Sequence, residues 1–143
     1  MKALTIRQPW ASQIMAGGKT VENRTWKPSE ATLARLPRRI AVHSAKNYAG
    51  GIAPALMDGP RGAVLGTVEI VAVHSAWTVG NLERRCCDEP GAEHHVSIPS
   101  PGAALWHWVL RDPIRLTVPV ECPGRQGLWE VPEPIERLLA GGR

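Results

Sequence analysis

Ala63-Val64-Leu65-Gly66-Thr67-Val68-Glu69-Ile70-Val71-Ala72-Val73-His74 is the stretch that decides the fold. Apolar residues occupy both alternating faces and β-branched residues dominate. This predicts a central strand, flanked by other strands and covered on both sides. Gly66 marks a bend or bulge in it. Immediately upstream Gly59-Pro60 reads as a turn, and Arg39-Ile40-Ala41-Val42-His43 as another strand. Residues 45–57 read as weakly helical, although Gly50-Gly51 and Pro54 interrupt them. Further back, Leu4 and Ile6 open a short strand and Pro9 stands at a helix start. Trp10 and Ile14 follow at helical spacing, and Gly17-Gly18 ends that helix. Thr20 to Thr25 predicts a second short strand. Residues 28–37 are a connection with a helical turn around Ala31–Leu36. Downstream, residues 80–103 read as a surface excursion, with a short helix near Leu82–Cys86. Leu105 to Leu110 predicts a strand that Pro113 interrupts. Ile114, Leu116 and Val118 alternate with polar residues as a half-buried strand, and Gly127 to Val131 is the last strand. Pro134 opens a helix that runs through Leu139.

Strand–helix alternation fails after residue 60, which disfavours a doubly wound α/β sheet. The pattern is that of an α+β domain or small barrel of five to six short strands with helices early and late. A chain of 143 residues, 43% hydrophobic and 21% charged, fits one globular domain over residues 1–143. No apolar run approaches a membrane span and the first residues form no secretory h-region, so neither membrane insertion nor secretion is expected. Cysteines stand at 86, 87 and 122; an odd count with two neighbours suits a reduced, cytoplasmic protein. Oligomeric state leaves no mark on the sequence. Charge is uneven: residues 1–48 carry +7 and residues 49–143 carry −3, within a net +4. A basic first third suits an anionic partner such as nucleic acid, or else spreads over solvated faces.

Chemistry-bearing residues concentrate in that basic third. Glu22 and Arg24 share one face of a strand by period two, and Lys19 projects from the turn before them. In a binding reading, Arg7, Lys19 and Arg24 meet phosphates and Glu22 accepts from an exocyclic amine. In a catalytic reading, Lys19 is a base and Glu22, or Glu69 on the central strand, is the second acid–base group. The structural alternative is an ion-pair cluster that fixes the turn. Trp10 and Trp26 flank the motif as stacking platforms, whereas Trp106 and Trp108 read as core. His43-Ser44 at a strand end and Glu69, which needs a partner such as Arg7, Lys19 or Arg24, complete a candidate pocket. Arg125, before the last strand, offers a fork for phosphate at the mouth of the barrel. Cys86-Cys87 with His94-His95 carry zinc-ligand chemistry at a poor spacing. That loop reads as a variable acidic excursion, and neither metal nor cofactor is expected. The chain contains no G-x-G-x-x-G or P-loop pattern, which disfavours dinucleotide cofactors and ATPase chemistry.

Together these motifs resemble the ASCH superfamily. They are Arg7-Gln8-Pro9-Trp10, then Gly17-Gly18-Lys19-Thr20-Val21-Glu22-Asn23-Arg24. Ile40-Ala41-Val42-His43, Gly66-Thr67-Val68-Glu69 and Gln126-Gly127-Leu128-Trp129 follow. The resemblance implies a PUA-like β-barrel with peripheral helices and an RNA- or nucleotide-binding role. With the residue reading above, the candidate ligand contacts are Arg7, Gln8, Pro9, Trp10, Lys19, Glu22, Arg24, Trp26, His43, Ser44, Glu69 and Arg125. Some members are hydrolases: one group deacylates N4-acetylcytidine, and ribonuclease activity also occurs. The partners it implies are therefore RNA or a modified nucleoside. Lys19 matches the lysine of the deacylating group, but Glu22 stands where that group has its nucleophilic threonine. A carboxylate does not replace an amine-activated hydroxyl. A third reading, an adaptor that uses its tryptophan-rich surface and acidic loop on a protein partner, has no motif of its own.

Overall fold

The computed structural model describes residues 1–76, 86–92 and 105–141. The elements run β1 (Lys2–Gln8), α1 (Trp10–Met15), β2 (Val21–Arg24), α2 (Glu30–Leu33), β3 (Arg38–Tyr48) and β4 (Ala63–Ser75). Then come β5 (Trp106–Glu121), β6 (Leu128–Glu130) and α3 (Glu133–Gly141), with one 3₁₀ turn at Pro54–Leu56. All six strands belong to one mixed sheet in the order β2-β5-β4-β3-β1-β6, with β1 and β3 parallel and the other neighbours antiparallel. The fold is α+β, and the predicted central strand holds a central place as β4.

Four steps separate β2 from β1 in that order. At about 4.8 Å per step a flat sheet would hold them roughly 19 Å apart. Yet Arg24 on β2 donates from Nη2 to the Thr5 carbonyl on β1 at 2.6 Å. The sheet therefore curls until side chains of its two ends meet. β2 and β6 are edges that do not pair with each other, so this is an open, curled sheet and not a closed barrel. Three register shifts between β4 and β5 mark where the curl is built. Gly66 sits at one of them: a Cβ there would lie 2.2 Å from the Ile114 carbonyl oxygen.

Both faces of the sheet are apolar, as β4 predicted. Leu4, Ile6, Ile40, Val42 and Leu110 pack with Trp108 under α1, which contributes Ile14 and Met15. Their immediate neighbours Ala3 and Ala41, on the opposite face by strand alternation, join Val64, Trp129 and Ile135 of α3 in a second cluster. Each fully buried large aliphatic contributes about 1.5–3 kcal/mol.

Two expectations change. Residues 105–110 and 114–118 form one strand, because Asp112-Pro113 are taken up in a bulge opposite Val68, with Asp112 at φ 49°. Pro113 lacks an N–H, but β2 pairs only with residues 106–109, so no ladder bond is lost there. Residues 45–57 are not helical: β3 continues to Tyr48, which pairs with Gln8, and the Ala49 N–H bonds to the Gln8 carbonyl at 2.8 Å. Only Pro54–Leu56 turns. The helix expected near Leu82–Cys86 lies largely outside the described residues. Among those described, no helix is long and apolar enough to cross a membrane.

Candidate functional site

Curling brings together residues from distant parts of the chain around a cleft of about 760 Å³. Thr5 and Arg7 come from β1, Trp10 from the start of α1, and Glu22 and Arg24 from β2. Trp26 follows β2, Ala45 and Ala49 come from the end of β3, and Arg125, Gln126 and Gly127 precede β6. Its volume falls within the range of small-ligand pockets.

Glu22 is buried and pairs with Arg24, whose Nη2 lies 3.1 Å from its Oε1. The same Nη2 reaches the Thr5 carbonyl, and Arg24 Nε is buried with no hydrogen-bond partner among the described residues. A carboxylate held in this way is fixed in place, and its charge is compensated by the neighbouring guanidinium. Arg7 and Arg125 are exposed and make no ion pair among the described residues. Trp26 is fixed by edge-on packing against the core residue Trp108, with centroids 4.7 Å apart. Glu22, Arg24, Trp106 and Trp108 stand on one face, since register pairs Glu22 with Trp108 and Arg24 with Trp106.

Other predicted residues lie around or away from this cleft. Lys19 is buried beside it, with Nζ 5.7 Å from the Trp10 ring centroid and 3.0 Å from the Gly91 carbonyl oxygen that it donates to. Gln8 is wholly buried: its side chain accepts from the Ser12 N–H at 3.0 Å and donates to the Pro60 carbonyl at 2.8 Å, fixing α1 to the loop before β4. Pro9 is buried at the N-cap of α1. His43 is buried and donates from Nε2 to the Cys122 carbonyl at 3.0 Å, leaving Nδ1 without a partner among the described residues. Burial pushes its pKa down, against the opposing pull of the Cys122 bond. Ser44 donates to the Ala63 carbonyl at 3.2 Å inside the sheet. Glu69 pairs with Arg39 at 3.2 Å instead of with Arg7, Lys19 or Arg24, and Arg39 also holds Asp112. Among the predicted site residues, the cleft thus gathers Arg7, Trp10, Glu22, Arg24, Trp26 and Arg125. It leaves Gln8, Pro9, His43, Ser44 and Glu69 in structural contacts. Thr5, Ala45 and Ala49 went unpredicted, since only the curl and the bulge after Ser44 bring them to the cleft.

Residues 86–92 lie along the outer edge of β2. The Thr20 N–H bonds to the Pro90 carbonyl at 2.9 Å, and Asn23 Nδ2 to the Gly91 carbonyl at 2.9 Å. Glu89 accepts from Thr20 Oγ1 at 2.7 Å and pairs with Arg111; the Arg111 hydrogen bond, then that of Thr20, holds its carboxyl below the usual range. His94 and His95 lie outside the described residues.

A family model described as ASCH domain matches residues 4–117. Crystal structures of ASCH from Zymomonas mobilis have the same fold. The unmodified protein superposes with a TM-score of 0.60 at 16% identity, over 99% of this chain and 95% of that one. A tyrosine-to-phenylalanine mutant of it gives 0.58 at 17% identity, over 99% and 98%. A serine-to-alanine mutant gives 0.57 at 18% identity, over 97% and 93%. No curated protein matches.

Proposed function

Because the chain belongs to the ASCH domain family, whose fold is PUA-like, we propose that it binds single-stranded RNA and takes one base into the cleft. The observation that carries this reading is the contrast within the cleft. One buried carboxylate, Glu22, is compensated by Arg24, while Arg7 and Arg125 stand exposed at its border with no ion-pair partner among the described residues. A base entering between Trp10 and Trp26 stacks on indole, and Glu22 accepts from an exocyclic amine, the pairing carboxylates make with cytosine N4. Arg7 and Arg125 meet the flanking phosphates. The acceptor, the aromatic walls and the cationic border suit a splayed single strand better than a duplex, whose bases stay stacked.

The test compares fluorescent oligocytidine and oligouridine by anisotropy, with wild type and Glu22→Gln. Wild type should prefer cytidine, because uracil presents a carbonyl where cytosine presents an amine. Glu22→Gln should level that preference, whose size is about 1–3 kcal/mol. Equal binding of both oligomers by wild type would remove Glu22 as the reader.

A second reading rests on the same carboxylate. Glu22 takes a proton from water, the hydroxide attacks an acyl carbon, and the cytosine amine leaves with a proton, as in hydrolysis of N4-acetylcytidine. Position 22 carries no hydroxyl, so this reading uses water and not the threonine nucleophile of the deacylating group. Turnover of N4-acetylcytidine that disappears in Glu22→Gln would establish this reading. Binding without turnover leaves the first.

A further inference from the structure

The face of the sheet that points away from Glu22 and Arg24 carries a second cluster, which the proposed RNA reading does not use. His74 on β4 and His107 on β5 are register partners, so their side chains stand side by side, with ring centroids 5.2 Å apart. Cys86 and Cys87 approach from the segment that lies along β2. Both sulfurs lie 3.3 Å from the same atom, Nδ1 of His107. Two sulfurs and an imidazole nitrogen thus converge on one point, the arrangement in which all three lone-pair donors can bind a single cation.

Distances agree with this. Zinc bond lengths of about 2.3 Å to sulfur and 2.0–2.1 Å to nitrogen place tetrahedral S and N ligands about 3.6 Å apart, and two N ligands about 3.4 Å apart. Ligand atoms of His74, Cys86 and His107 all lie within 4.8 Å of one another. For these three ligands, closing to tetrahedral spacing takes movements of at most about 1.5 Å; Cys87 is placed by its 3.3 Å approach to His107 Nδ1. His74 is already oriented. Its Nδ1 donates to the Ser75 carbonyl at 3.1 Å, which leaves the lone pair on Nε2, the outer-shell bond that metal-bound histidines commonly make.

We propose that His74, Cys86 and His107, with Cys87 as fourth ligand, form a structural site for a tetrahedral, thiophilic divalent cation of the Zn²⁺ class. Binding releases the two thiol protons to solvent, and two thiolates neutralise the ion. Four protein ligands leave no open position, so the site is a staple and not a reaction centre. It fastens the segment that Glu89, Pro90 and Gly91 bond along β2 and next to Lys19.

The experiment is a Co²⁺ titration of reduced, chelator-stripped full-length protein, read by optical absorption. One equivalent should produce tetrahedral ligand-field bands with thiolate-to-cobalt charge transfer, and Zn²⁺ should displace them. Cys86→Ser and His74→Gln should each weaken Co²⁺ binding by at least about tenfold. Cys122→Ser, at a cysteine outside the cluster, should leave it unchanged. His107 is left intact because it is buried in the sheet. Should the ligand variants fail to fold, X-ray absorption of the wild-type zinc protein decides, since a shell of two sulfurs and two nitrogens is required. Absence of charge transfer at one equivalent, bands indifferent to Cys86→Ser, or a shell without sulfur would each overturn the assignment.

Discussion

Arg7 and Arg125 should account for a defined part of the salt dependence of RNA binding. Each is exposed, lines the cleft and has no acidic partner among the described residues, so each is available to a phosphate. For single strands, every neutralised phosphate adds about 0.7 to the slope of log affinity against log salt. Over a fourfold rise in salt, one such contact costs about threefold in affinity and two cost about sevenfold. Replacing both arginines by alanine should therefore lower the slope by about 1.4, and each single replacement should lower it by about half as much. Arg39 is the control. It is paired with Glu69 and Asp112, so Arg39→Ala should leave the slope where it was. Anisotropy of a labelled oligocytidine at about four salt concentrations between 50 and 200 mM gives the slopes. A double variant that keeps the wild-type slope would refute the phosphate role of both residues, whatever happens to affinity at one salt.

Other outcomes follow from single contacts. Trp10→Ala should weaken oligonucleotide binding by about 1–3 kcal/mol in the same anisotropy assay, the worth of one stacked base. Gly66→Ala should cost about 2–5 kcal/mol in urea unfolding, since its Cβ would meet the Ile114 carbonyl at 2.2 Å and the backbone at φ +155°; a loss below about 1 kcal/mol would mean that β4 and β5 slide apart easily. His43 is held neutral by burial, with its pKa below the ordinary 6.5. The unfolded chain therefore binds the extra proton first, and stability should fall as pH drops through about 6.5, levelling once the folded protein also protonates. His43→Gln should flatten that part of a denaturation-midpoint profile. Glu89 has the opposite perturbation: its folded pKa is lowered from 4.5, so its contribution is present above that value and is lost as pH falls through the folded pKa. Glu89→Gln should shrink the acid limb of the same profile.

Much of the fold is legible wherever one segment reports on itself. β4 declares a doubly covered strand by composition, and the early basic motif shows that Glu22 and Arg24 share a face by spacing alone. What eludes local reading is set by long-range register. Pro113 signals a strand end, yet the bulge opposite Val68 absorbs it. Residues 45–48 carry weak helical propensity, yet pairing of Tyr48 with Gln8 extends them as strand. Glu69 asks for a cationic partner, and the one it finds, Arg39, is its directly opposed neighbour on β3. The same holds for the two histidines of the proposed metal site. His74 and His107 are 33 positions apart and belong to no spacing motif, while the conspicuous pair at 94 and 95 draws the eye. Their meeting follows only from the β4–β5 register.

The short strand β6 sets a practical boundary for work on this protein. It pairs with β1 over Lys2 to Leu4, and the three residues just before it, Arg125 to Gly127, border the cleft. The family match ends at residue 117, ahead of all of them. A fragment trimmed to that match would expose the outer edge of β1 as an open template for intermolecular pairing. It would also discard Arg125, one of the two exposed arginines that line the cleft. Expression of the matched region alone would thus yield a chain prone to associate and stripped of half its cationic border. A negative binding result from such a fragment would reflect the cut and not the protein.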